Sequence, residues 1–290
     1  MRVLVTGSGG FIGRNLAEYL SMYDVTAVGR RELDLLDTKT VEHYLQKNRF
    51  DVIIHSANVR TVRDTVASPY DSLNENLRIF FNLERCKEYY GKMYYFGSGA
   101  EYDMRYYIPC MKETYFDTHM PTDMYGFSKY IMSKTCSDRE SNIYDLRLFG
   151  VYGKYERWER RFISNAICRA IKGKDIAISQ NVYFDYLWID DLCDIMQWFI
   201  ENKPLHKCYN VCRGTKIDLY TLAHMVREIL NADCNIVIGK PGWKTEYTGN
   251  NERLLAEIGD YKFTDFYESI EKLCGYYKEN IDAIDEKKLF

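Results

Sequence analysis

Short apolar runs and helix-spaced apolar positions take turns along the first half of the chain. Residues 3–5 (Val-Leu-Val) form an apolar run, and Leu16 and Leu20 then fall on one helical face. Residues 25–28 are the next strand pattern, and Val41, Tyr44 and Leu45 the next helical face. A third strand is predicted over residues 50–54, closing at His55-Ser56-Ala57, followed by a helix over 74–90 carrying Leu77, Phe80, Phe81, Leu83 and Cys86. Strands over 93–96 and 143–148 flank a polar loop (103–124) and a helix that runs from Tyr125 through Ile131, Met132 and Cys136 to Arg139. Strand and helix periods in strict turn predict an α/β protein: a doubly wound, Rossmann-type parallel sheet with helices on both faces. Beyond residue 153 the rhythm changes. Helices are predicted over 162–171 and 219–230, short strands over 175–179 and 234–238, and a polar loop over 240–253.

The junction of the first strand and helix carries the first chemistry. In VLVTGSGGFIG, Gly7, Gly10 and Gly13 follow at three-residue spacing. The turn is too tight for a Cβ, the backbone can approach a pyrophosphate closely, and the helix N-terminus offers N–H groups and a favourable dipole. With a strand before it and a helix after it, the turn is read as a dinucleotide site. The second strand ends in Gly29-Arg30-Arg31. An acid at that place would hold the ribose 2′-hydroxyl of NAD, whereas an arginine suits the 2′-phosphate of NADP. Arg30 therefore points to NADP, with a merely solvated loop as the alternative. His55 is read as a packed strand-end residue and not a catalyst.

Composition narrows the class without changing it. A net charge of -3 offers no general attraction for nucleic acid or an anionic membrane. The nine cysteines contain no CxxC pair, and only Cys208 and Cys212 are close, so neither a disulfide frame nor a metal site is expected and a cytoplasmic location is. With a nucleotide strand starting at Arg2 no signal peptide is expected, and no apolar run approaches the ~18 residues of a membrane span. With 26 tyrosines, no single one is special by count.

Tyr125 and Lys129 carry the second piece of chemistry. Four residues apart on a helix, they share one face. A phenol titrates near ~10 and is a weak acid at neutral pH; a neighbouring ammonium favours the phenolate and lets the pair exchange a proton with a substrate hydroxyl or carbonyl. Ser98, at the carboxyl end of a strand, can hold the same oxygen by hydrogen bond.

In TGSGGFIG (6–13), GSGAEY (97–102), YGFSK (125–129), RLFGVYG (147–153) and FDYLWIDD (184–191), the chain resembles the extended short-chain dehydrogenase/reductases that act on nucleotide sugars, the NAD-dependent epimerase/dehydratase family. The motifs run in family order over about the first two-thirds of the chain, with YNVCRG (209–214) and LLAEIG (254–259) following more loosely. GRRELDLLD (29–37) is most similar to GDP-L-fucose synthase and related 4-keto sugar reductases. The resemblance implies catalysis by Ser98, Tyr125 and Lys129. For the cofactor it implies Gly7, Gly10, Phe11, Ile12 and Gly13, Asp34 and Leu35 at the adenine edge, Ala57, and again Tyr125 and Lys129. It implies Ser98, Arg169 and Arg253 for the substrate, the arginines suiting a pyrophosphate through bidentate hydrogen bonds. It also implies a cofactor domain over 1–153, rejoined by 184–212, and a smaller discontinuous substrate domain over 154–183 and 213–290. Helices 77–90 and 125–139 are implied to pair in a homodimer.

Two departures put the substrate contacts in question: Phe184 stands where the family has arginine, and Gly150 where it has asparagine. Absences choose the reaction. Dehydratases of the family carry an acid where this chain has Ala100, and strand alternation would turn Glu101 to the other side. Fucose synthase places cysteine at Ala100 and histidine at Arg161, the pair that inverts ring carbons. A hydride cofactor and one proton relay are left, enough to interconvert a ketone and an alcohol. The expected activity is NADPH-dependent reduction of a 4-keto nucleotide sugar for surface polysaccharide. A 4-epimerase with tightly bound NAD and a non-catalytic nucleotide-binding relative stay open as alternatives.

Overall fold

The computed structural model describes residues 1–59, 69–137 and 141–289, so the expected end of the catalytic helix at Arg139 lies outside the described residues. Six parallel strands, β1 (Arg2–Thr6), β2 (Asp24–Val28), β3 (Phe50–His55), β4 (Tyr90–Ser98), β5 (Ile143–Leu148) and β9 (Cys208–Val211), form the main sheet in the order β2-β1-β3-β4-β5-β9. The central strands β1, β3 and β4 are apolar on both faces through their middles because they are covered twice, whereas β2 is a half-exposed edge and β5 buries Asp145 and Arg147. Val3 and Val5 face one core with Val52, Ile54, Tyr94 and Leu146, while Leu4, Ile53, Met93 and Tyr95 face the other. The first face is covered by α1 (Phe11–Tyr19) and α6 (Ile189–Glu201); the second by α2 (Thr38–Asn48), α3 (Pro69–Glu84) and α4 (Met124–Cys136). The strand order reverses between β1 and β3, and the carboxyl ends on either side of that switch form the crevice where open α/β sheets take ligands.

The remaining elements form two smaller sheets and the helices around them. A three-stranded sheet joins β6 (Gly150–Tyr152), β8 (Tyr183–Trp188) and β10 (Lys216–Asp218), and a parallel pair joins β7 (Ile176–Asn181) to β11 (Ile236–Trp243). Around them pack α5 (Phe162–Ile171), α7 (Leu219–Leu230), α8 (Glu252–Ile258) and α9 (Phe266–Glu279). Among the described residues no helix is long and apolar enough to cross a membrane.

Four local expectations change. The helix expected over 74–90 is α3, ending at Glu84, because Tyr90 already pairs with Phe50 in the sheet. The strand over 93–96 lengthens to β4, and GAEY (99–102) is a 3₁₀ turn, not more strand. Residues 184–188, the start of the segment implied to rejoin the cofactor domain, are in β8 of the three-stranded sheet; the strand of that segment that joins the main sheet is β9. The polar loop expected from residue 240 begins as the last residues of β11.

Candidate functional site

The glycine turn meets the backbone of its own fold. Gly7 has φ +73°, and a Cβ there would stand 2.7 Å from Ala57 N and Cα; one on Gly13 would stand 2.4 Å from the Gly7 carbonyl. Both positions require glycine for close approach. Gly9 faces open space, and α1 has no side-chain cap at Gly10, so the N-terminal N–H groups of Phe11, Ile12 and Gly13 are offered to a ligand. This cradle fits a pyrophosphate. At the end of β2, Arg30 is exposed, its Nε 4.0 Å from Asp34, while the Gly29 N–H donates to Glu32 Oε2 at 2.8 Å. Asp34 also accepts from Leu36 N–H, and the Leu35 side chain is buried in the second core. His55 is buried, hydrogen-bonded to Thr6 Oγ1 at 2.9 Å, and burial pushes its pKa down to about 3. It stays neutral, a packed strand-end residue.

Ser98, Tyr125 and Lys129 converge at the carboxyl end of β4. Ser98 caps the 3₁₀ turn: its Oγ accepts from Ala100 N–H at 3.2 Å, and its own N–H donates to Glu101 Oε1 at 2.8 Å. Asp123 caps α4 by accepting from Gly126 N–H, which fixes the first turn that carries Tyr125. Ser98 lies close enough to Tyr125 to pull the titration of its phenol down. One turn on, Lys129 Nζ is buried and donates to the Phe96 carbonyl at 2.8 Å, 5.9 Å from the Tyr125 ring centroid.

The electrostatics differ from the expectation for this pair. Burial raises the Tyr125 phenol above its ordinary value, opposed by Ser98 and by the charge of Arg161. Burial also pushes the Lys129 ammonium down, to about 8, against the pull of Glu101 and Asp145. Tyr125 is thus a protonated phenol at neutral pH, a hydrogen donor beside Ser98.

Glu101 is turned away from the crevice, but not by strand alternation. The 3₁₀ turn directs it inward, where Arg147 Nε donates to both Glu101 Oε2 and Asp145 Oδ2 at 2.8 Å, with all three side chains fully buried. Arg147 also donates to the Tyr102 hydroxyl (2.9 Å) and to Ser133 Oγ (2.8 Å), and Tyr102 donates to Asn210 Oδ1 (2.6 Å). The network underlies the turn that presents Ser98.

Arg161 acts on this cluster through its charge, whereas Arg169 and Arg253 are held by partners of their own. Arg161 is the N-cap of α5 and its charge reaches Tyr125; Arg169 is in the last turn of the same helix, its Nε donating to the Asp175 carbonyl. Arg253, in the first turn of α8, donates to the Cys208 carbonyl at 3.1 Å and lies 4.0 Å from Glu113. The Gly150 departure has a steric reason: a Cβ would stand 2.8 Å from the Asp185 carbonyl and 2.9 Å from Tyr186 Cδ1. Phe184 packs against Tyr186 and Tyr247, with centroids 5.4 and 5.8 Å away. The sequence reasoning missed Tyr247, and it missed the buried arginine of the RLFG motif as a support for Ser98.

The chain is similar to a GDP-L-colitose synthase of Yersinia pseudotuberculosis, 23% identical over 96% of this chain and 98% of the relative. It is 25% identical to a GDP-6-deoxy-D-talose 4-dehydrogenase of Aggregatibacter actinomycetemcomitans, over 94% of this chain and 97% of that one. In fold it resembles the UDP-glucose 4-epimerase of Thermotoga maritima (TM-score 0.83, 19% identity, 97% of this chain and 100% of that one). It also resembles an NADP-bound GDP-mannoheptose C4 reductase of Campylobacter jejuni (TM-score 0.81, 19% identity, 96% and 98%). The model of the NAD dependent epimerase/dehydratase family matches residues 3–212, and with the glycine cradle and the Ser98, Tyr125 and Lys129 cluster in place, the chain belongs to that family.

Proposed function

We propose that this protein reduces a 4-keto nucleotide sugar, GDP-linked, to the corresponding alcohol at the expense of NADPH, in the synthesis of a surface polysaccharide. The observation that carries the reading is the gathering of Ser98, Tyr125 and Lys129 at the carboxyl end of β4, with Lys129 held by the Phe96 carbonyl, while Glu101 is locked to Arg147 beneath them. One proton donor faces the substrate, and neither Ala100 nor Glu101 offers a carboxyl to eliminate water. The names of the two GDP-sugar relatives support the choice of nucleotide. When bound, NADPH supplies the hydride. The chain's own residues do the rest. Ser98 donates a hydrogen bond to the C4 carbonyl oxygen and holds it beside Tyr125. Tyr125 transfers its phenolic proton to that oxygen as it becomes an alcohol, and the nearby cations Arg161 and Lys129 favour the phenolate left behind.

The cofactor is assigned to residues 1–153 with 184–212, where Gly7, Gly10, Phe11, Ile12 and Gly13 hold the pyrophosphate, Asp34, Leu35 and Ala57 flank the adenosine side, and Arg30 meets the 2′-phosphate. The sugar nucleotide is assigned to residues 154–183 and 213–290, with Arg169 and Arg253 as phosphate partners, in a homodimer paired through α3 and α4. One observation favours a second reading, a 4-epimerase with resident NAD: the Glu32 carboxylate at Gly29 N–H stands at the end of β2, where an acid holds an unphosphorylated ribose. Tyr125→Phe tests the relay. It keeps the ring and removes the proton, so reduction of a GDP-4-keto-6-deoxy sugar is expected to fall by ~10²-fold with NADPH affinity unchanged. Near-normal turnover by that variant removes Tyr125 from the chemistry.

A further inference from the structure

Ser98 meets a third hydroxyl, delivered from the far end of the chain. Tyr247 lies between β11 and α8 and is stitched onto β8: its N–H donates to the Tyr183 carbonyl at 2.9 Å, and its carbonyl accepts from Asp185 N–H at 3.1 Å. Its ring is boxed by Tyr107, Phe149 and Phe184, with centroids 5.2, 5.4 and 5.8 Å away. Pinned on three sides, the ring can only send its hydroxyl toward the turn at Ser98-Gly99. A Cβ on Gly99 would stand 2.6 Å from the Tyr247 oxygen, so the hydroxyl lies against the turn beside Ser98, whose side chain pulls the titration of the Tyr247 phenol down.

A count of donors and acceptors gives this contact a consequence. A serine hydroxyl has one proton and two lone pairs. Ala100 N–H occupies one lone pair of Ser98. Burial holds the Tyr247 phenol well above its ordinary value, so at neutral pH it carries its proton and can donate it. If Tyr247 donates to Ser98, the second lone pair is filled as well. The single Ser98 proton then has nowhere to go but outward, to the Tyr125 oxygen or to the substrate oxygen.

We propose that Tyr247 is a positioning residue for Ser98: its hydroxyl, carried in from the segment that pairs with β8, fixes Ser98 as a hydrogen-bond donor toward the reacting oxygen. The proposal rests on the roles given above to Ser98 and Tyr125, and it explains why residue 99 has no side chain. Any Cβ would displace the Tyr247 hydroxyl and the Phe149 edge, which would lie 2.9 Å away.

The test is a double-mutant cycle on the full chain, with NADPH and GDP-4-keto-6-deoxymannose as the probe. Tyr247→Phe is expected to lower kcat about five- to tenfold, the worth of one hydrogen bond, with KM for NADPH unchanged. In a Ser98→Ala background the same change is expected to cost less than about twofold, since the residue it acts through is gone. Equal losses in the two backgrounds overturn the proposal. A second readout needs no turnover. In protein carrying ¹³Cζ-tyrosine, the resonance that vanishes in Tyr247→Phe is expected to shift in Ser98→Ala, and a resonance that does not move overturns the pairing. Should the unmodified protein leave the probe unreduced while that resonance shifts, the substrate reading fails and the Tyr247–Ser98 pairing stands.

Discussion

Arg147→Met isolates the support beneath the site. Arg147 is fully buried, and its Nε is the donor 2.8 Å from both Glu101 and Asp145. Methionine keeps much of the packing against the Phe116 ring, 4.3 Å from the guanidinium carbon, but leaves two carboxylates buried together. Breaking a buried ion pair by removing one partner costs about 3–5 kcal/mol. Over 290 residues, an unfolding entropy of about 2.1 cal/mol/K per residue gives ~0.6 kcal/mol/K, so Tm should fall by about 5–8 °C near pH 8. The pH dependence follows from Glu101, whose pKa is raised from 4.5 to about 8, chiefly by burial and then by the Asp145 charge, with Arg147 opposing. Losing Arg147 raises it further. A carboxyl whose folded pKa exceeds its unfolded one holds its proton in the folded state, so its burial is tolerated at low pH and penalised as pH rises through the folded value. Up to about pH 8 both folded proteins keep the Glu101 proton and lose stability with pH at the same rate, so the deficit of Arg147→Met should be level below pH 8 and widen above it, where the parent has released that proton and the variant has not. Thermal melts of both proteins from about pH 6 to above pH 9 measure it. A drop below about 2 °C at pH 8, or a deficit that narrows above pH 8, refutes the reasoning.

Two further outcomes follow from single side chains. Glu156 is buried, bonded through one oxygen to Ser164, and its pKa is pushed up to about 7, mainly by burial. Because that folded value lies above the unfolded one, ionisation costs stability as pH rises; Glu156→Gln should gain on the parent between pH 5 and 8, by a few degrees at about 1.4 kcal/mol per pH unit, in paired melts. Arg30→Asp should reverse a preference for NADPH over NADH in cofactor titrations, and a parent that binds both equally would shift the account toward the epimerase.

The sheet and its helices were legible because β1, β3 and β4 carry apolar runs and the helices carry apolar stripes; β5, α5 and α7 fall where the pattern puts them. The glycine turn was legible for a similar reason, since Gly7 and Gly13 answer to local sterics. What depends on burial was not. The four-residue spacing of Tyr125 and Lys129 says that they share a face, but not that desolvation moves both titrations away from the charged forms. Glu101 points inward because the chain turns at Gly99, a bend that strand alternation cannot foresee. Tyr247 reaches Ser98 through a pairing with β8 that has no local signature, in a chain with 26 tyrosines.

The central claim is net hydride delivery to C4, and labelled cofactor tests it most directly. The enzyme would be given GDP-4-keto-6-deoxymannose and NADPH deuterated at the nicotinamide C4, with product analysed by NMR. Expected are one NADPH consumed per product, one cofactor deuterium at the sugar C4, and no enzyme-dependent exchange at C3 or C5 when the reaction is repeated in heavy water. Interconversion of two alcohol sugars with no change in the NADPH absorbance, or solvent deuterium at C3 or C5 beyond the background of the free ketone, would contradict it.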